Sequence, residues 1–303
     1  MTRWLVTGAG GMLGQDVLAA LAGEQVTALT RATLDVTDAD AVRAAVADHD
    51  VVLNCAAWTD VDGAETAEAA ATAVNGTAVR HLAAACAATG ARLIQVSTDY
   101  VLPGDATEPC PENAGTGPVN AYGRSKLVGE QAVLDLLPET GYVVRTAWLY
   151  GEHGPNFVAT MLKLAAQRDS LAVVDDQHGQ PTWTADLAER LVELGRAALA
   201  GTAPAGIYHG TASGQTTWRG LARATFELAG LDPERVGATT SDAFPRPAVR
   251  PSYSVLGHER WAAAGFGPLP EWQQSLTEAL KRPAFAELAA AAAARGAAGG
   301  DGR

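Results

Sequence analysis

The sequence predicts an α/β protein, a doubly wound parallel sheet followed by a smaller mixed C-terminal lobe. Three observations carry this. Short apolar runs at 3–7, 25–29, 50–54 and 92–97, with Val143-Val144-Arg145-Thr146, alternate with helical patterns at 12–22, 39–47, 66–88 and 120–137. Such alternation builds parallel βαβ units with helices on both sheet faces. A glycine-rich turn, Gly8-Ala9-Gly10-Gly11-Met12-Leu13-Gly14, separates the first strand from the first helix. Past residue 150 the pattern loosens. Helical stretches at 155–168, 184–199 and 216–229 are divided by Gly179-Gln180-Pro181-Thr182 and Phe244-Pro245-Arg246-Pro247, as expected of a lobe laid across the sheet edge.

Bulk properties exclude several classes of function. The 303 residues suffice for one large domain or a domain with an added lobe, and 48% hydrophobic against 18% charged residues is ordinary globular composition. A net charge of −12 argues against a nucleic-acid partner, which needs a clustered basic face. No apolar run approaches the ~18 residues of a membrane span. The N-terminus lacks the plan of a signal peptide, so a cytoplasmic protein is expected. Cys55, Cys86 and Cys110 are scattered and odd in number, which reads as reduced thiols. His153, His178, His209 and His258 show no ligand spacing, and no metal site is expected.

The glycine turn has a specific use. Gly8, Gly11 and Gly14, with Met12 and Leu13 between the last two, bring backbone close to a pyrophosphate at a helix N-terminus. On this basis 1–152 and 183–210 are expected to form a dinucleotide-binding domain and 153–182 with 211–287 a substrate-binding lobe. Residues 288–303, almost all Ala and Gly, read as a tail that frays from a helix and has no assigned function. The second strand ends at Thr30-Arg31, where NAD-specific sites usually carry an acid. Arginine and hydroxyl there suit a 2′-phosphate, hence NADPH, with NADH as the alternative cofactor; the plainer reading of Arg31 is a solvated loop charge. Asp35 and Val36 are placed for adenine, and Ala56 and Ala57 for the cofactor ribose.

Tyr122 and Lys126 stand four residues apart, on one face of a predicted helix. The chain has only 3 lysines and 6 tyrosines, so the spacing arises by chance in about 6% of such chains. A phenol of pKa near ~10 is a poor catalyst at neutral pH, and an adjacent cation that favours phenolate corrects this. Upstream, a strand runs into Ser97-Thr98-Asp99-Tyr100. Thr98 is the candidate to hold a substrate carbonyl, and Ser97 competes because successive strand residues face opposite ways.

At this point the chain resembles the dTDP-4-dehydrorhamnose reductases among the extended short-chain dehydrogenases. The resemblance rests on Val6-Thr7-Gly8 with the glycine turn, Ala56-Ala57-Trp58-Thr59-Asp60-Val61-Asp62, Ser97-Thr98-Asp99-Tyr100-Val101 and Tyr122-Gly123-Arg124-Ser125-Lys126. It continues through Arg145-Thr146-Ala147-Trp148-Leu149-Tyr150, Asn156-Phe157, Asp176-Gln177 with Gly179, and Arg250-Pro251. It implies a Rossmann fold and reduction of the C4 keto group of a dTDP-linked 4-keto-6-deoxysugar, in a monomer or homodimer. It implies Tyr122 as proton donor, Lys126 to lower its pKa and hold the ribose, and Thr98 to orient the carbonyl. Thr59, Val61, Asp99, Tyr100 and Trp148 would line the sugar pocket, while Asn156 and Arg250 would face the diphosphate. For Arg250 the plainer reading is a surface arginine, and for Trp148 a packing residue.

Leu102-Pro103 and Cys110 depart from the family pattern, which leaves the hexose and product stereochemistry open. A cofactor-retaining epimerase or dehydratase of the same fold is one rival, although Tyr100 stands where dehydratases place a glutamate. A non-catalytic nucleotide-binding regulatory subunit is another, although it has no need of the intact Thr98, Tyr122 and Lys126.

Overall fold

The computed structural model describes residues 1–300. Its centre is a six-stranded, wholly parallel sheet of β1 (Arg3–Thr7), β2 (Gln25–Leu29), β3 (Val51–Asn54), β4 (Arg92–Thr98), β5 (Gly141–Thr146) and β6 (Gly206–His209). The strands lie in the order β6-β5-β4-β3-β1-β2. The first five fall where apolar runs predict them. β6, a four-residue Gly-Ile-Tyr-His strand at the sheet edge, shows no such period.

Alternate strand residues face opposite helical layers. Trp4, Val6, Leu53, Ile94 and Val144 pack under α1 (Met12–Ala20) and α6 (Thr184–Ala200). Leu5, Val52, Leu93 and Val143 pack under α2 (Ala39–Val46), α3 (Ala78–Thr89) and α4 (Ala121–Leu136). The chain winds outward from β1 to β2, then returns to β3 on the other side. This reversal opens a crevice at the carboxyl ends of β1 and β3, where ligands of doubly wound sheets bind.

The helical pattern at 66–88 is not one helix. Glu68–Thr72 and α3 flank a π-turn at Ala73–Thr77, which buries Asn75 and Gly76. The cause is a close crossing: a side chain at Gly129 of α4 would come within 2.2 Å of the Asn75 carbonyl, and one at Gly76 within 2.7 Å of Val128.

The second lobe gathers α5 (Phe157–Ala165), α7 (Trp218–Leu228), α8 (Trp272–Leu280) and α9 (Pro283–Gly300) around two apolar clusters. A short parallel pair, Leu171–Val174 with Val236–Thr239, borders it. The stretch read as a tail from 288 is helix through Gly300, because Leu288, Ala289 and Ala292 find apolar partners on the lobe. Residues 301–303 of that stretch lie outside the described residues. No helix of the described residues is long and apolar enough to cross a membrane.

Candidate active site

The glycine turn has the shape a dinucleotide needs. Gly8 adopts φ +69°, and a Cβ there would sit 2.5 Å from the Ala56 backbone nitrogen. A Cβ on Gly14 would lie 2.3 Å from the Gly8 carbonyl oxygen. Only bare backbone lets β1, α1 and the segment after β3 meet this closely. Gly11 caps α1 with no side-chain hydrogen bond, so the first-turn N–H groups keep capacity for an anion. Leu13 points into the core, and only its backbone serves the turn. Met12 is half-buried. Thr30 lies beneath Gly10, Arg31 beyond it is exposed, and its charge acts on Asp35. The exposed Asp35 accepts from Thr37 N at 2.9 Å and Thr37 Oγ1 at 2.7 Å through one oxygen, leaving the other free. Val36 is half-buried, as are Ala56 and Ala57.

The catalytic candidates converge beside this cradle. Asn120 caps α4 by accepting from Gly123 N at 2.8 Å, and the Glu65 carboxylate accepts from Ala121 N at 2.8 Å. The helix end bearing Tyr122 is therefore fixed on two sides. Tyr122 is half-buried and meets Tyr100 edge-on at 6.0 Å. Thr98, at the end of β4, donates to Asp99 Oδ1 at 2.9 Å, accepts from Tyr100 N at 3.2 Å, and lies close enough to the Tyr122 side chain to act on its pKa. Ser97 turns away, with a buried and unpartnered hydroxyl. Strand alternation thus places Thr98, not Ser97, with the phenol.

Lys126 is buried and donates from Nζ to the Val96 carbonyl at 2.7 Å, which leaves two of its N–H donors. Burial lowers its pKa to about 8, against the charge of Glu130, which raises it. The phenol departs from expectation. Burial and then the Asp99 charge push the Tyr122 pKa up, and the neighbouring Thr98 hydroxyl opposes them. In the free protein Tyr122 is thus held protonated, the form a proton donor requires. Asp99 is itself buried, with Oδ2 unpartnered, and burial raises its carboxyl to about 6.

The residues expected at a diphosphate stand in different surroundings. Arg250 Nη2 pairs with Asp62 Oδ1 at 3.0 Å, and Arg246 Nε lies 3.3 Å from Asp62 Oδ2. Asp62 thereby clips the Pro-rich 244–250 loop over the segment after β3, where Thr59 is exposed and Val61 half-buried. Asn156 instead caps α5. It accepts from Ala159 N at 3.0 Å and donates to Gly151 O at 2.7 Å and Gly154 O at 3.1 Å, so both its N–H donors are engaged at home. Trp148, just after β5, is the one non-glycine residue of positive φ among the described residues, at +47°.

A family model for the RmlD substrate binding domain matches residues 2–285. The chain belongs to this family. It is 62% identical over 282 residues to a dTDP-4-dehydrorhamnose reductase of Streptomyces griseus, covering 92% of this chain and 93% of that one. It is 52% identical over 282 residues to a dTDP-4-keto-6-deoxy-D-glucose reductase of Streptomyces niveus, covering 92% and 96%. Among solved structures, a dTDP-4-dehydrorhamnose reductase of Bacillus anthracis in complex with NADP superposes with TM-score 0.87 at 34% identity, covering 92% of this chain and 98% of that one.

In this member of the RmlD family, residues that motif reading passes over hold the site. Thr7 Oγ1 donates to Asn54 Oδ1 at 2.5 Å, Asn54 Nδ2 to Gln95 Oε1 at 2.7 Å, and Gln95 Nε2 to the Val96 carbonyl at 2.7 Å. That carbonyl also receives Lys126, so a buried polar chain runs from the glycine strand to the lysine. Asn75 accepts from Trp58 N at 2.9 Å and donates to Trp58 O at 3.0 Å and Ser125 Oγ at 2.9 Å, tying the segment after β3 to α4. Polar residues inside otherwise apolar elements were the available signal.

Proposed function

We propose that this chain uses NADPH to reduce the C4 keto group of a dTDP-linked 4-keto-6-deoxyhexose, giving dTDP-rhamnose or a related deoxysugar nucleotide. The observation that carries the reading is the convergence of Thr98, Tyr122 and Lys126 at the carboxyl end of β4, beside a backbone cradle that admits no Cβ. When bound, NADPH supplies the hydride that C4 receives. Tyr122, kept protonated by its surroundings, gives the phenolic proton to the C4 oxygen. Thr98 turns its hydroxyl from Asp99 to that oxygen and orients it. Lys126 offers its two free donors to the cofactor ribose, and its charge stabilises the phenolate left behind.

Gly8, Gly11, Met12, Leu13 and Gly14 hold the pyrophosphate by backbone, Thr30 and Arg31 the 2′-phosphate, Asp35 and Val36 the adenine, and Ala56 and Ala57 the ribose. Thr59, Val61, Asp99, Tyr100 and Trp148 border the hexose. Arg250 offers a planar donor fork to the diphosphate. Asn156 acts as the α5 cap that shapes this side of the cleft. We assign 1–152 and 183–210 to the dinucleotide-binding domain and 153–182 with 211–287 to the substrate lobe, in a cytoplasmic monomer or homodimer.

The test is NADPH oxidation with enzymatically prepared dTDP-4-keto-6-deoxyhexoses, followed by NMR of the product. Turnover with none of them overturns the reading. Two variants probe the cofactor half. Arg31→Ala is expected to shift the NADPH/NADH preference in kcat/KM roughly tenfold toward NADH, the loss of one charge-assisted phosphate contact; an unchanged ratio removes Arg31 from the site. Gly14→Ala drives a methyl into the Gly8 carbonyl and is expected to weaken NADPH binding at least about tenfold in a fluorescence titration.

A further inference from the structure

Trp148 pairs a large side chain with a backbone conformation that L-residues avoid, at φ +47°. Such a conformation persists only where neighbours determine it. Here the neighbours belong to the second lobe. The Trp148 ring stacks on that of Trp218 with centroids 3.6 Å apart and planes 10° from parallel. Phe157 covers Trp218 further along the pile, at 4.7 Å and 48°. Across from it the Trp148 indole presses on Gly179, where a Cβ would lie 2.5 Å from Cε2.

Trp218 is itself fixed by its polar edge. Nε1 donates to Gln177 Oε1 at 3.0 Å, and Gln177 Nε2 donates to Ser241 Oγ at 2.8 Å. Ser241 in turn donates from N and Oγ to the Asp176 carboxylate. Ser241 opens the segment that leads to Arg246 and Arg250, whose far end Asp62 holds beside Tyr100. One side chain of α7 therefore touches both the residue that follows β5 and the amide that anchors the arginine segment. Trp218 has Trp148 on one side and Phe157 on another, so it is built into the pile rather than presented as a platform for a ligand.

We propose that Trp218 is a positioning residue: through the stack it locks Trp148 into the left-handed conformation that makes it a wall of the hexose site, and through Gln177 it sets the arginine segment against the same substrate. This rests on the functional reading given above. It predicts an effect on sugar-nucleotide affinity and none on the nicotinamide half, because Trp148, Phe157 and Gln177, which Trp218 touches, are not residues of the glycine cradle.

The experiment compares Trp218→Leu, Trp218→Phe and Gln177→Leu with the wild type in steady-state kinetics and circular dichroism. Two indoles stacked this closely couple excitonically, so Trp218→Leu and Trp148→Phe are each expected to remove the same couplet. Trp218→Leu is expected to raise KM for the dTDP-4-keto-6-deoxyhexose roughly three- to tenfold, the size of one aromatic contact, with kcat and the NADPH KM within about twofold. Trp218→Phe restores most of the loss. Gln177→Leu, which keeps the indoles, raises the sugar KM in the same direction and serves if Trp218→Leu does not fold. Loss of the couplet with an unchanged sugar KM overturns the proposal, as does a parallel rise of the NADPH KM. A wild type that turns over no such sugar overturns the functional reading instead, while the couplet and its loss in both tryptophan variants still report on the stack.

Discussion

Tyr122→Phe is expected to lower kcat by roughly 10²–10⁴-fold, the usual worth of a general acid, while NADPH affinity stays within about twofold. The ring keeps its edge-on contact with Tyr100, and no hydrogen bond of the cofactor cradle is touched. What disappears is the proton that the C4 oxygen must receive. A fall in kcat with KM nearly constant marks an interaction made in the transition state. Stopped-flow NADPH oxidation checks it, and turnover within about tenfold of wild type would sink the mechanism. The wild-type pH profile follows from the same site. Tyr122 is raised and stays protonated through the neutral range, whereas Lys126 is lowered to about 8. The lysine is therefore charged below that pH and loses its charge as pH rises through it. Because kcat/KM reports the free enzyme, it should be level between about 6, where Asp99 gains its proton, and about 8, and decline above that.

Much of this was legible in the sequence, and the parts that were not share a cause. β1, β3, β4 and β5 are four- to seven-residue, mostly apolar runs that are almost wholly buried, as strands covered on both faces must be, whereas β2 at the sheet edge has no fully buried residue. The glycine turn and the Tyr122–Lys126 pair are local in sequence, so spacing alone finds them. Thr98 against Ser97 was a choice that only strand orientation decides. The hidden part of the site is non-local. Thr7, Asn54 and Gln95 are unremarkable in their own strands and become a chain only because the register sets Thr7 beside Asn54 and Asn54 beside Gln95. Asn75 is masked by a run of helix-forming neighbours, and its π-turn exists because α4 passes so close. Asn156 illustrates the opposite difficulty. A motif residue expected at a ligand also caps its own helix, and an asparagine before an apolar helical run is as much a capping signal as a binding one.

Glu130→Gln carries the largest expected effect on stability, and it reaches the active site as well. Glu130 lies one turn beyond Lys126 on α4 and pairs with Arg145 of β5, both side chains being 1% exposed. The contact is two-pronged, Nε to Oε1 at 3.0 Å and Nη2 to Oε2 at 2.8 Å, and Arg145 Nη1 has no partner. Among the described residues Glu130 is the one carboxylate in an ion pair with Arg145, and glutamine leaves that charge buried without its partner. Breaking a buried pair from one side costs about 3–5 kcal/mol, a large share of the ~5–15 kcal/mol that keeps a domain folded, and corresponds to a Tm lower by roughly 10 °C. Replacing both partners, Glu130→Leu with Arg145→Met, should recover part of the loss, because the stranded charge goes with its partner. The second effect is electrostatic. The Glu130 charge raises the Lys126 pKa against burial, so its removal lets that pKa fall and moves the alkaline decline of kcat/KM to lower pH. Urea unfolding and the pH profile of the single variant test the two effects separately. An unfolding free energy within about 1 kcal/mol of wild type would show that Arg145 finds other compensation. An unmoved alkaline limb would show that Glu130 does not set the charge of Lys126.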